Sequence, residues 1–251
     1  LACSGLSVKA AKEEWKQLGL GKKNLTIALD WLYEVFESAP YLGSLINPRK
    51  SEAAKIVHWD ELSGGLRELN LVEGNRDVLE SGIVAQGLAK AMTLLGGQYH
   101  WVVTNVPYKK ASELDILIQD YLDENYAAGS MALETSFFDR CLDFCTPGGV
   151  NSIVLPQNWM FLTTYRKFRE KILHNSKFLS IARLGAGAFD TISGEVVKVI
   201  LFSVLKQEEK ASNSFYAIDV ADESIPAGKS AMLISGSLKE FQQLNIFCNP
   251  D

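Results

Sequence analysis

The chain has 251 residues, 47% hydrophobic and 22% charged, with 19 Gly and 7 Pro. That composition excludes a disordered or collagen-like polypeptide and suits one or two packed domains. Against 25 Lys+Arg stand 30 Asp+Glu, a net charge of −5, which excludes a nucleic-acid module that binds by basic surplus alone. No apolar run approaches the roughly 20 residues of a membrane span, and four scattered cysteines (Cys3, Cys141, Cys145, Cys248) are too few for a disulfide framework. The expectation is a soluble protein of a reducing cytoplasm with no membrane partner.

The opening Leu1-Ala-Cys-Ser-Gly5 reads as the end of a strand passing into a turn, as in a fragment of a longer polypeptide. Val8, Ala11, Trp15 and Leu18 then repeat at helical spacing up to Gly19. Asn24 can cap a second helix, with Ala28, Leu32, Val35, Phe36 and Ala39 on one face, expected to end at Pro40. A third helix follows from Val84, Leu88, Met92 and Leu95, broken by Gly96-Gly97. From Tyr99 onward strands and helices alternate: strand Tyr99–Thr104, helix Ser130–Cys145, strand Val150–Leu155, helix Thr164–Asn175, strands Leu179–Leu184 and Val196–Val204.

Alternation of this kind predicts an α/β fold. Pro147-Gly148-Gly149 reads as a turn between a helix and a buried strand. The link Gly185–Glu195 is too short for a helical crossover, so the last two strands are expected to be antiparallel within a mostly parallel sheet. Asn213–Val220 is a possible further strand, and Lys229–Asn245 carries no clear period. The predicted organisation is a mainly helical insert over residues 1–95, the sheet over 96–210, and the start of a linker or following domain over 211–251.

The chemistry concentrates at Thr104-Asn105-Val106-Pro107-Tyr108, directly after an apolar strand. Open α/β sheets bind ligands at the carboxyl ends of their strands. An amide, a rigid turn and an aromatic face together suit a planar nitrogenous base whose exocyclic amine is held by acceptors while the ring is stacked. An aromatic amine is a poor nucleophile because its lone pair is delocalised into the ring. Two carbonyl oxygens that accept its hydrogens favour the pyramidal geometry in which the lone pair can attack an electrophile.

Other constellations carry less. Gly185-Ala186-Gly187 precedes a strand and reads as a structural turn. Glu195 and Lys198 are spaced onto opposite faces of a strand, unlike a nuclease pair. His58, His100 and His174 have no ligand spacing, and Cys141 with Cys145 lacks a second pair for zinc; no metal is expected. Residues 164–183 are the most basic stretch, with Arg166, Lys167 and Arg169 as candidate DNA-backbone contacts.

Five segments in order resemble the N6-adenine DNA methyltransferases of fused (type IIG) restriction-modification enzymes and related phage-defence methylases. They are Asn105-Val106-Pro107-Tyr108, an Asn-Pro-Pro-Tyr type signature with Val at its second position; Phe137 to Leu142 before Pro147-Gly148-Gly149; Leu155-Pro156-Gln157-Asn158-Trp159-Met160-Phe161-Leu162; Tyr165 to Arg169; and Arg183 to Phe189, followed by Ser193 to Val197. The resemblance implies an S-adenosylmethionine-dependent methyltransferase-like sheet, and methyl transfer to the exocyclic amine of an adenine flipped out of double-stranded DNA.

It further implies that the Asn105 side-chain oxygen and the Val106 carbonyl hold the amine and that Pro107 fixes the turn. Tyr108 stacks on the base, Phe189 closes the other side, and Asn105 alone of these residues also touches the cofactor side. A glycine-rich cofactor turn and a target-recognition domain are expected outside this stretch, upstream and downstream. Two other readings share the signature: methylation of RNA adenine or a protein amide nitrogen, and a non-catalytic methylase fragment that binds DNA or a partner.

Overall fold

A computed structural model describes residues 23–50, 87–189, 197–207 and 213–247. The chain divides into two compact units, Leu1–Gly97 and Gln98–Asp251. No described helix is long and apolar enough to cross a membrane.

In the first unit, α1 (Lys23–Phe36) is followed by the short α2 (Ala39–Leu42) and by α3 over residues 87–96. Leu32, Phe36, Leu42, Leu45, Leu88 and Met92 are buried. The helix expected to run to Pro40 ends instead at Phe36. Pro40 lies in the first turn of α2, where its missing N–H costs no hydrogen bond and its fixed φ is already helical. The helix expected over Val8–Leu18, and Val84 of the third, lie outside the described residues.

The second unit is one six-stranded sheet in the order β1-β2-β4-β3-β5-β6: β1 (Tyr99–Asn105), β2 (Cys145–Pro156), β3 (Ser176–Gly185), β4 (Val199–Lys206), β5 (Ser214–Asp219) and β6 (Lys239–Gln242). Strands β1, β2, β3 and β5 run one way, and β4 and β6 run against them. The sheet is therefore mostly parallel in strand direction, and the β3–β4 pair is antiparallel, as the short link requires. Strand β4 inserts between β2 and β3, which sets Phe202 opposite both Ile153 and Ile181.

Phe202 centres the core. It meets Phe178 at 4.8 Å edge-on, Phe138 at 5.7 Å stacked and Trp159 at 5.3 Å. The covering side chains come from α5 (Leu133–Phe144) and α6 (Arg166–Asn175): Phe138, Cys141 and Leu142 from the first, Phe168, Ile172 and Leu173 from the second. Both helices show their apolar residues at the three-to-four spacing that puts them on one face. Cys141 and Cys145 are buried free thiols, and burial pushes them up to about 12 and about 11. Among the described residues no His, Cys, Asp and Glu group could hold a metal.

Two boundaries differ from the sequence expectation. Pro147-Gly148-Gly149 is a bulge inside β2, because Cys145 already pairs with Tyr99 before the register jumps to Trp101 opposite Val150. Gly148 takes φ +75°, and a Cβ on Gly149 would sit 2.9 Å from the Tyr99 carbonyl oxygen. Within residues 211–251, expected to open a linker or another domain, the described residues 213–247 add β5 and β6 to the same sheet and supply α7 (Pro226–Ser235) and α8 (Leu244–Phe247). Helix α4 (Ile116–Asn125) was not anticipated; Asp115 caps it, its side chain accepting from the Leu117 N–H at 3.0 Å.

Candidate active site

Strand β1 delivers Asn105 to the carboxyl edge of the sheet, level with Val154 of its parallel neighbour. Val106 turns inward and is buried, so the backbone is anchored immediately beyond Asn105. Tyr108 is half-buried and packs against two apolar clusters, the aromatic core and a smaller group of Leu184, Val199 and Val220. Its hydroxyl donates to Asn105 Oδ1 at 3.0 Å. Burial, and then the negative Glu134, push the Tyr108 phenol up to about 12, so it is a neutral donor at physiological pH.

This bond orients the amide. A carbonyl oxygen accepts through two lone pairs, so one remains on Asn105 Oδ1. The Val106 carbonyl accepts no hydrogen bond from a described residue. Two acceptors on consecutive residues are therefore available at the strand end, beside an aromatic face.

The chain beyond Tyr108 is fastened to the segment that enters α5. Glu134 Oε2 accepts from the Lys109 N–H at 3.1 Å, the Leu133 N–H donates to the Lys109 carbonyl at 2.8 Å, and the Ala111 N–H donates to the Met131 carbonyl at 3.1 Å. Glu134 is buried; that burial raises its carboxyl above the usual range, opposed by the N–H groups of Glu134 and Lys109. Tyr165 feels the same carboxylate: burial and Glu134 together raise its phenol. Sequence reasoning missed Glu134, whose place in the first turn of α5 reads as an ordinary helix-dipole contact.

Phe189 follows a turn in which Gly185 and Gly187 take φ +67° and +68°, values that favour glycine. Ala188 packs against the same Leu184–Val199–Val220 cluster as Tyr108. Phe189 itself keeps 37% of its surface exposed, unlike the core phenylalanines. Ser193 to Val196 lie outside the described residues.

The three candidate phosphate contacts differ in what they do. Arg166 pairs with Glu170 at 3.0 Å on the surface of α6. Arg169 donates through Nη1 to the carbonyls of Trp159 (2.8 Å) and Leu162 (2.6 Å), bracing the 3-10 turns that precede the helix. Lys167 is exposed and makes no ion pair with a described residue.

Residues 43–189 match the family described as Eco57I restriction-modification methylase, and the chain belongs to that family. It is 32% identical over 165 residues to the adenine-specific methyltransferase BrxX of Escherichia coli O9:H4 (strain HS), an alignment covering 65% of this chain and 13% of that protein. Against the adenine-specific methyltransferase PglX of Lacticaseibacillus casei (strain Zhang) it is 28% identical over 123 residues, 49% of this chain and 10% of the relative. The chain thus spans a small part of the curated relatives it matches. Among solved structures it is similar in fold to a nuclease-deletion mutant of the Type ISP restriction-modification enzyme LlaGI in complex with a DNA substrate mimic. There the TM-score is 0.50 at 12% identity, covering 70% of this chain and 17% of the other.

Proposed function

We propose that this chain is the amine-holding part of a DNA adenine methyltransferase serving a restriction-modification or phage-defence system. The observation that carries the reading is the Asn105–Tyr108 pair: an exposed amide at a strand end, its oxygen oriented by a neutral phenol, next to the Val106 carbonyl, which accepts no hydrogen bond from a described residue. Membership of the Eco57I restriction-modification methylase family and the likeness to two adenine-specific methyltransferases support it.

The N6 hydrogens of an extruded adenine donate to Asn105 Oδ1 and to the Val106 carbonyl. Pro107 holds the two acceptors at a fixed angle. Tyr108 stacks on one face of the base, and the partly exposed Phe189 ring covers the other. No strong base is required: the amine becomes acidic once alkylated, and its proton leaves to water.

S-adenosylmethionine is the cofactor the family implies, and it supplies an electrophilic methyl group. Asn105, exposed at the strand end, fits its reactive side. Among the described residues no glycine-rich turn leads from a strand into a helix, so they do not build the rest of its cradle. On this reading the cofactor cradle and target recognition belong to segments outside the described residues, with double-stranded DNA as partner in a bacterial or archaeal cytoplasm.

The test is methylome sequencing of a host with the full-length gene, its deletion and the Asn105→Ala allele. One modified adenine motif, lost in the deletion and in the allele, is expected. Unchanged modification in the Asn105→Ala strain would remove Asn105 from the chemistry, and an unchanged DNA methylome in the deletion would turn the reading towards RNA, protein or a non-catalytic role.

A further inference from the structure

Lys229 lies on α7 in the stretch whose sequence carries no period, and it is 2% exposed. Its ammonium donates to three backbone carbonyls: Leu184 at 2.7 Å, Val220 at 3.3 Å, and Glu223. A buried ammonium is costly unless its donors are used, and here all three are.

Those carbonyls belong to two turns. Leu184 is the penultimate residue of β3, whose last residue Gly185 opens the turn Gly185-Ala186-Gly187 that leads to Phe189. Val220 and Glu223 belong to the turn that leaves β5. The two turns lie close together: a Cβ on Gly185 would come 2.7 Å from the Ala221 Cβ and 3.1 Å from its Cα, and one on Gly187 would come 2.7 Å from the Ser224 carbonyl oxygen. The Val220 N–H donates to the Arg183 carbonyl at 2.9 Å. Glu223 closes the second turn, its Oε1 accepting from the N–H groups of Ser224 and Ile225. Lys229 is the tie that joins both turns through one atom.

We propose that Lys229 is a positioning residue for the methyl-acceptor pocket: by clamping the β3 and β5 exits together it fixes the angle at which the chain reaches Phe189, and so where that ring meets the extruded base. Residues 219–229 are on this inference the platform of the pocket wall. The inference rests on the reading that Phe189 stacks on the target base, and goes beyond it by naming what holds the ring there.

The test uses the full-length protein with duplexes carrying 2-aminopurine at the target position, whose fluorescence reports extrusion, together with KM and kcat. The variants are Lys229→Met, Lys229→Arg, Phe189→Ala and the Lys229→Met/Phe189→Ala double. Base stacking of this kind is worth roughly 5- to 150-fold in binding, and a displaced ring forfeits part of it. Lys229→Met is expected to raise KM and weaken extrusion about 5- to 10-fold with a smaller change in kcat, and Lys229→Arg to restore part of the loss. In the Phe189→Ala background the Lys229→Met effect should shrink below about 2-fold, since residues acting through one another are not additive.

Wild-type extrusion in Lys229→Met, or an equal loss in both backgrounds, overturns the clamp. A silent Phe189→Ala overturns instead the stacking reading on which it rests. If Lys229→Met does not fold, Gly187→Ala separates the same two turns from the other side and must show the same Phe189-dependent loss; an intact enzyme there overturns the clamp.

Discussion

The hydrogen bond from Tyr108 to Asn105 predicts a graded series of losses. Tyr108→Phe keeps the ring and removes one neutral bond of 3.0 Å in a half-buried setting. Such bonds contribute about 0.5 to 1.5 kcal/mol, so the rate should fall roughly 2- to 13-fold. Tyr108→Ala also removes the stacking face, a further 1 to 3 kcal/mol or so, expressed mainly in KM. Asn105→Ala removes a preoriented acceptor, and losses of that kind are on the order of 100- to 1,000-fold in kcat. Initial-rate methylation by the full-length protein, with kcat and KM measured separately between pH 7 and 10, reads all three. Because the phenol is pushed up to about 12, it stays protonated across that window, and Tyr108 should contribute no limb to the pH profile. A Tyr108→Phe variant as damaged as Asn105→Ala, or a wild-type limb near pH 9 to 10 that the variant lacks, would refute the orienting role and make the phenol a proton-transfer group.

Two further outcomes test the surroundings. Burial raises the Glu134 carboxyl, so its favourable contribution is complete below the ordinary carboxylate range and is lost as pH rises through the raised value. Glu134→Gln keeps an acceptor for the Lys109 N–H without the charge and should match wild type in calorimetry at acid pH and melt higher at neutral pH, by about 2 to 4 °C per kcal/mol relieved; a lower Tm at pH 7 would show that the charge itself supports the turn. With its thiol raised to about 12 inside the core, Cys141 should resist maleimide at pH 8 in the folded protein and react on unfolding, as mass spectrometry of digested protein reports, and rapid native labelling would contradict its burial.

Strands with an apolar inner face are legible in place, though not always in length: the expected Tyr99–Thr104 is Tyr99–Asn105, whereas the expected Val150–Leu155 is only the second half of Cys145–Pro156. Elements at the margins are not. Helix α4 buries only Leu122 and turns Ile116 and Leu117 outward, so its pattern has no apolar stripe. Strand β6 is exposed at all four positions, and without an inner face there is no alternation to detect. The site divides in the same way. Asn105 to Tyr108 act within four residues and can be read as a word. Glu134 and Lys229 act through backbone groups, Glu134 from 25 residues away and Lys229 from as far as 45, and a side chain that serves a carbonyl or an N–H leaves no partner residue type in the sequence to reveal it.

The basic stretch shows why charge density alone misleads. Of the six cations between residues 164 and 183, Arg166, Lys171 and Arg183 are paired with Glu170, Asp139 and Asp219. Arg169 spends Nη1 on two carbonyls. Lys167 and Lys177 have neither an ion pair nor a carbonyl contact of this kind with a described residue, which leaves this stretch poor in the free cations that phosphate binding by counterion release demands. The net charge of −5 points the same way. On the proposed reading, with most of the DNA-backbone attraction arising elsewhere, an adenine would be held here by short-range contacts, and the residues at the strand ends are of that kind: two carbonyl acceptors with no charge, an aromatic face kept neutral, and a second ring left partly bare. Neutral acceptors suit an amine that turns positive as it is alkylated, because a fixed cation beside it would oppose that charge. The Arg183 guanidinium, close to the turn that bears Phe189, is held by Gln157 Oε1 at 3.2 Å and Asp219 Oδ2 at 2.8 Å. Burial works against the Asp219 charge, but the Ala221 N–H, Arg183 and Lys229 hold its carboxyl below the usual range, so it remains charged and keeps the guanidinium compensated through neutral pH.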